Sequence, residues 1–243
     1  MVDVEHVTME FDLNRGKVRT LKELLFARGA SRARSERFRA LDDISFHLDA
    51  GDTLGVLGNN GAGKSTLLKI VSGIMKPTKG KSVVRGSVSP MIELGTGFDY
   101  ELSASENIYL SGSVLGYSKR TVREKFNEIM DFAELWDFKD VPVKYFSSGM
   151  VARLAFAVST IVRPDLLIVD EILSVGDVPF QQKSFRKMQE LMSGGATVIY
   201  VSHNIDSIEE LCSRALWLEH GKIRMDGDCR TVCQAFKESI QNG

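Results

Sequence analysis

Residues 2–11 alternate apolar and polar side chains, the period of a β-strand. The pattern breaks after Phe11 and resumes at Phe38, where Leu41, Ile44 and Phe46 lead to a turn at Ala50-Gly51-Asp52. Residues 53–57 then predict a short apolar strand, 58–63 a glycine-rich loop, and 64–74 a helix with Leu67, Leu68, Ile70 and Val71 inward, ended by Pro77. Strand-like sequence covers 81–94. From about Tyr100 to Met150 the period becomes helical: Ser118 suits an N-cap, and Val122, Phe126, Ile129 and Met130 recur on one face. Two further apolar runs, 166–169 and 196–201, end in Asp170-Glu171 and Ser202-His203, and 215–225 reads as a hairpin turning at His220-Gly221. Strands alternating with helices predict an α/β fold built on a mainly parallel, doubly wound core sheet.

Composition narrows the function classes. The 243 residues carry 31 Lys+Arg against 32 Asp+Glu, a net charge of −1. This excludes a bulk polycation that coats nucleic acid, and no nucleic-acid partner is expected. No apolar stretch approaches the ~18–20 residues of a membrane-spanning helix, and the N-terminus lacks the basic start and apolar core of a secretory signal. Cys212, Cys229 and Cys233 form a sparse, odd set read as ordinary thiols. One local imbalance stands out: residues 15–39 hold nine Lys or Arg and two Glu, a net +7. Within it 20–26 could form a short helix and 29–37 an exposed loop. The segment is either a solvated loop or a face turned toward anionic lipid headgroups.

Gly58-Asn59-Asn60-Gly61-Ala62-Gly63-Lys64-Ser65 matches the phosphate loop G-x-x-x-x-G-K-[ST] in every fixed position, between a predicted strand and helix. Small residues let successive backbone N–H groups curl around phosphate oxygens, and the following helix points its positive end at them. Lys64 is placed to reach the β and γ phosphates, Thr66 follows in the first helical turn, and the Ser65 hydroxyl suits Mg²⁺. Asp170, ending a buried strand, is the expected partner ligand of that metal, and Glu171 the group that orients or deprotonates the attacking water.

Phe146-Ser147-Ser148-Gly149-Met150, some twenty residues before Asp170, resembles the signature motif of ATP-binding cassette ATPases. It departs from the usual Leu-Ser-Gly-Gly-Gln at three positions while keeping Ser147 and Gly149. With the helix Arg153-Leu154-Ala155-Phe156-Ala157, the segments Glu93-Leu94-Gly95-Thr96-Gly97-Phe98, Glu106-Asn107-Ile108 and 170–177, it is similar to the ATPase subunits of O-antigen, teichoic acid and capsule exporters.

The resemblance implies a P-loop NTPase forming one cassette domain over residues 1–243. Its nucleotide-binding core is 1–99 and 151–243, with an antiparallel β subdomain and a basic insertion at about 12–39. Its helical subdomain, with the signature motif, is 100–150. The resemblance also implies ATP and Mg²⁺ as ligands and a head-to-tail homodimer, in which Ser147 and Gly149 of one subunit, at the start of a helix from Val151, close over ATP on the other. Asp177 falls on the dimer-contacting loop, His203 matches the switch histidine at the γ-phosphate, and Phe11 matches the aromatic that stacks on adenine. The family's usual Gln between core and helical insertion is missing from 91–98, where Glu93 is the nearest acid. The expected task is export of a lipid-linked polysaccharide through a separate transmembrane subunit, with this chain peripheral on the cytoplasmic face of the membrane. Recognition of glycan ends by this chain itself is not expected, since it stops at Gly243. An importer or other transport cassette and a soluble non-transport ATPase are the alternative readings.

Overall fold

The computed structural model describes residues 1–12, 37–91, 97–161, 164–170, 177–202 and 204–241. The readings made for 20–26, most of 15–39, Glu93, Glu171 and His203 lie outside them.

A six-stranded sheet carries the fold, in the order β5(Val88–Met91), β6(Leu166–Asp170), β7(Thr197–Val201), β3(Thr53–Leu57), β8(Arg214–Glu219), β9(Lys222–Asp228). Its first five strands run parallel and β9 returns antiparallel beside β8. Leu166, Leu167, Ile168 and Val169 are all buried, as both faces of a doubly covered parallel sheet require. Leu167 and Val169 pack with Val198, Tyr200 and Trp217 against the helical layer. Leu166 and Ile168 face the other way, into a cluster with Leu54, Val56 and Leu68 that also takes in Val4, Leu41 and Ile44 of the second sheet. That second sheet is antiparallel, in the order β2(Arg37–Leu48), β1(Val2–Asp12), β4(Lys79–Val84).

The helices are α1(Lys64–Val71), α2(Ala104–Val114), α3(Lys119–Ala133), α4(Ser148–Ile161), α5(Val178–Ser193), α6(Ile205–Leu211) and α7(Cys229–Gln241). The first stops earlier than its apolar period predicts. The Ser72 and Gly73 amides turn back to the Leu68 and Ile70 carbonyls, and Ile74, expected inside the helix, is 61% exposed. The strand-like run 81–94 divides between the two sheets as β4 and β5. The division falls beside Ser87, whose N–H and hydroxyl both reach the Asp165 carboxylate at 2.8 Å, and these bonds hold that carboxyl below its ordinary range.

Between them, α2, α3 and the start of α4 enclose their own apolar cluster around Ile108, Val122, Ile129, Met130 and Leu154. Ser118 caps α3 by accepting the Thr121 N–H at 3.1 Å. The segment entering α2 is wired by Glu106-Asn107. Glu106 forms a capping box with Ser103. Asn107, fully buried, accepts the Asp99 N–H at 2.8 Å and donates to the carbonyls of Asp99, Leu102 and Ser103.

Candidate functional site

The phosphate loop leaves the C-terminal end of β3, whose last four residues are buried, so the loop springs from a rigid support. Gly63 stands at the N-cap of α1 with φ 109°, and a Cβ there would sit 2.7 Å from the Ala40 carbonyl oxygen. Both its backbone conformation and its contact with β2 therefore demand glycine. Ala62 N–H donates to Asn59 C=O at 3.1 Å, closing the loop on itself. Lys64 Nζ donates to the Gly58 and Asn59 carbonyls at 2.6 and 3.2 Å, which folds the ammonium back over the loop.

A cavity of about 410 Å³ opens on this loop. Asn60, Gly61, Ala62, Gly63, Lys64, Ser65 and Thr66 form one wall, Asp170 enters from the end of β6, and Phe38 and Ala40 of β2 close the side. Gly58 and Asn59 line a second cavity of about 210 Å³ behind the loop, with Ser202 and the α7 residues Phe236 and Ile240. Register explains how the carboxylate arrives: β6 and β7 run parallel with Asp170 opposite Val201, so both strands end at the sheet edge from which the loop springs. In a parallel α/β sheet that carboxyl edge is where ligands bind. Glu171 and His203, the next residues of interest, lie outside the described residues. Their neighbours Asp170 and Ser202 are half-buried on this edge.

An aromatic residue stands beside the loop. Phe11 pairs in register with Phe38 across β1 and β2, and it is Phe38, 49% exposed, that lines the cavity. Directly opposed residues of an antiparallel pair share a face, so the two rings belong to one side of the sheet, with Phe38 the nearer to the loop. The strand bearing Phe38 and Ala40 is held by charge: Arg39 donates twice to Glu10 Oε1, at 3.1 and 3.0 Å, and reaches Asp42 at 2.9 Å. Hydrogen bonds from Arg39 hold the Glu10 carboxyl below its usual range. Arg37 also reaches Glu10, so the last two cations of the basic segment are ion-paired. Phe38 gave no local signal of its place beside the loop, because that approach depends on how two sheets pack.

Ser147 and Gly149 do not line the phosphate-loop cavity. Ser147 Oγ accepts the Met150 N–H at 3.2 Å and caps α4, which begins at Ser148, three residues earlier than the predicted start at Val151. Exposed Ser147 thus marks the positive end of a fourteen-residue helix at the surface of the helical cluster. Asp177 is likewise outside the cavity. It caps α5 through the Phe180 N–H at 3.1 Å and takes Arg153 Nη2 at 2.7 Å. One chain therefore brings the loop, Ser65, Asp170 and Phe38 together and leaves the signature segment and Asp177 on other surfaces.

The donor set suits a hard cation held partly by phosphate. Ser65 and Asp170 offer oxygens to one cavity beside Lys64, and Mg²⁺ sites characteristically take one or two protein oxygens with substrate phosphates and water. The three cysteines are buried thiols, Cys229 and Cys233 on the core side of α7 with their sulfurs 3.9 Å apart. Burial pushes the Cys233 thiol up to about 12 and Cys212 up as well, so they stay protonated.

Known proteins resemble this chain along most of its length. The family model described as ABC transporter matches residues 41–174. The O-antigen export system ATP-binding protein RfbB of Klebsiella pneumoniae is 38% identical over 242 residues, covering 99% of this chain and 98% of that protein. The teichoic acids export ATP-binding protein TagH of Listeria innocua is 37% identical over 98% of this chain and 70% of its own length. Among solved structures, a dimeric ATP-binding cassette in a post-hydrolysis state bound to ADP and Pi superimposes with a TM-score of 0.75 at 21% identity, covering 95% of this chain and 99% of that one.

Proposed function

This chain belongs to the ABC transporter family, and we propose that it is the ATP-hydrolysing subunit of an exporter that moves a lipid-linked polysaccharide of the O-antigen, teichoic acid or capsule type. The observation carrying this reading is the end-to-end match to an O-antigen export ATP-binding protein, over 98% of that protein's length.

The cavity supports the following reading of the nucleotide chemistry. Asn60 to Thr66 of the loop, with Lys64 and the N-terminus of α1 among them, line the cavity in which this reading seats the triphosphate. Phe38 offers an aromatic face to the base, with Phe11 beside it. Ser65 and Asp170 hold Mg²⁺, which when bound neutralises charge on the phosphates. Glu171 orients the attacking water and accepts its proton, and His203 contacts the γ-phosphate. Ser147 and the Gly149 amide meet that phosphate from a second copy of the chain. We take residues 1–243 as one cassette domain. Among the described residues no helix is long and apolar enough to cross a membrane, so the path for the glycan is assigned to a separate transmembrane subunit, with this chain docked on its cytoplasmic face.

Purification of the tagged chain from a detergent extract of its native cells tests this reading. Equimolar recovery of a multispanning protein encoded beside glycosyltransferases supports it. A partner accompanied by a periplasmic binding protein indicates an importer, and recovery of the chain with no membrane partner indicates a soluble cassette.

A further inference from the structure

The hairpin β8–β9 turns at His220 and Gly221, both with positive φ, 48° and 76°, as a two-residue type I′ turn requires. The turn does more than join two strands. Gly221 N–H donates to the Ala62 carbonyl of the phosphate loop at 3.0 Å, and Gly221 C=O accepts the Asp42 N–H of β2 at 2.8 Å. A Cβ on Gly221 would stand 2.7 Å from the Ala40 carbonyl oxygen and 3.1 Å from its carbon. The same Ala40 carbonyl lies 2.7 Å from the Cβ position of Gly63, so it is held between the loop glycine and the turn glycine. At the other end of the loop, a Cβ on Gly58 would meet the Leu218 carbonyl of β8 at 2.4 Å. Lys222, next to the turn, reaches Asp42 at 3.2 Å and ties the hairpin to β2 a second time.

The phosphate loop is thus seated against two backbones, β2 on one side and the β8–β9 hairpin on the other. Its amides can hold phosphate only while they keep their aim, and a loop carbonyl tied to a buried donor cannot rotate without breaking that bond. From this we infer that Gly221 is a positioning residue for nucleotide binding. Its N–H fixes the Ala62 peptide from behind, its lack of a side chain lets β2 close on Gly63, and the turn as a whole braces the loop in its phosphate-binding form. Gly221 touches no nucleotide itself. The inference rests on the phosphate loop being the ATP site.

The test compares Gly221→Ala with Gly116→Ala in the full chain. Gly116 has φ 82° with nothing near its Cβ position, and it lies in the exposed turn between α2 and α3. Both variants bear the same kind of backbone strain, but only Gly221 contacts the loop. Titration with the fluorescent analogue MANT-ATP is expected to show a Kd raised about 10-fold in Gly221→Ala, as the new methyl pushes the turn off the Ala40 carbonyl and weakens the Gly221 N–H bond to Ala62. ATPase assays are expected to show KM rising in parallel, with kcat within about 2-fold of wild type. Gly116→Ala is expected to lose thermal stability and keep the wild-type Kd. Wild-type affinity in Gly221→Ala overturns the inference, as does equal weakening in Gly116→Ala. Should Gly221→Ala not fold, hydrogen exchange on the wild type decides: ATP is expected to slow exchange in the peptide spanning 218–224, and unchanged exchange overturns the brace. A wild-type chain that binds no MANT-ATP overturns the nucleotide site first and the brace with it.

Discussion

Arg153, in the second turn of the signature helix, donates to Asp177 at 2.7 Å across the boundary between the helical cluster and the core. Its other terminal nitrogen donates to Glu134 at 2.9 Å, Glu134 takes Lys183 at 2.7 Å, and the Arg153 guanidinium lies 5.0 Å from the Phe180 ring centre. One arginine therefore joins the end of α3, the start of α4 and the cap of α5. An isolated exposed pair contributes little, because solvent screens it and ordering two side chains costs entropy. Here Arg153 is only 20% exposed and shared between two acids. A double-mutant cycle of Arg153→Met and Asp177→Asn, read by urea unfolding, is expected to give a coupling of about 0.5–1 kcal/mol. Additive losses would show that the contact carries no coupling.

The same cluster sets a pH dependence. Hydrogen bonding from Lys183, with the charges of Lys183 and Arg153, holds the Glu134 carboxyl below the ordinary 4.5. A carboxyl depressed on folding contributes stability that is fully present above its unfolded pKa and is lost as pH falls through its folded one. Glu134→Gln is therefore expected to lower Tm near pH 7, with the gap to wild type closing as pH drops below 4.5. A gap that stays constant down to about pH 3 would separate Glu134 from that linkage.

If the aromatic wall holds the base as proposed, Phe38→Ala is expected to raise the KM for ATP by about 5-fold or more, the scale of one aromatic–base stack of ~1–3 kcal/mol. Phe11→Ala is expected to have the smaller effect, since Phe38 and not Phe11 lines the cavity. The reverse order in a steady-state ATPase assay would return the role to Phe11.

Features set by neighbouring residues could be read from the chain before its structure. The strand 53–57, the phosphate loop, the Ser118 cap and the His220-Gly221 turn each depend on residues within a few positions of one another. What escaped depends on residues far apart in sequence. Ile74 continues the apolar period of α1, yet the chain has already turned off at Gly73. The division of 81–94 into two sheets is fixed near Ser87 by Asp165, 78 residues away. Ser147 was legible as part of a motif, but its bond to the Met150 N–H, which starts α4 at Ser148, was not. Phe38 and Gly221 reach the phosphate loop only because β2 and the terminal hairpin close on it from opposite sides, and no periodicity encodes that approach.

The central claim is that this cavity binds ATP and hydrolyses it with Glu171 as the base. The most direct measurement is ATP binding and single-turnover hydrolysis by purified wild type and Glu171→Gln. The account predicts unchanged ATP affinity in the variant, hydrolysis slowed by roughly 10² to 10⁴, and an ATP-dependent dimer accumulating in size-exclusion chromatography. Wild-type turnover by Glu171→Gln would contradict it and place the base on another residue.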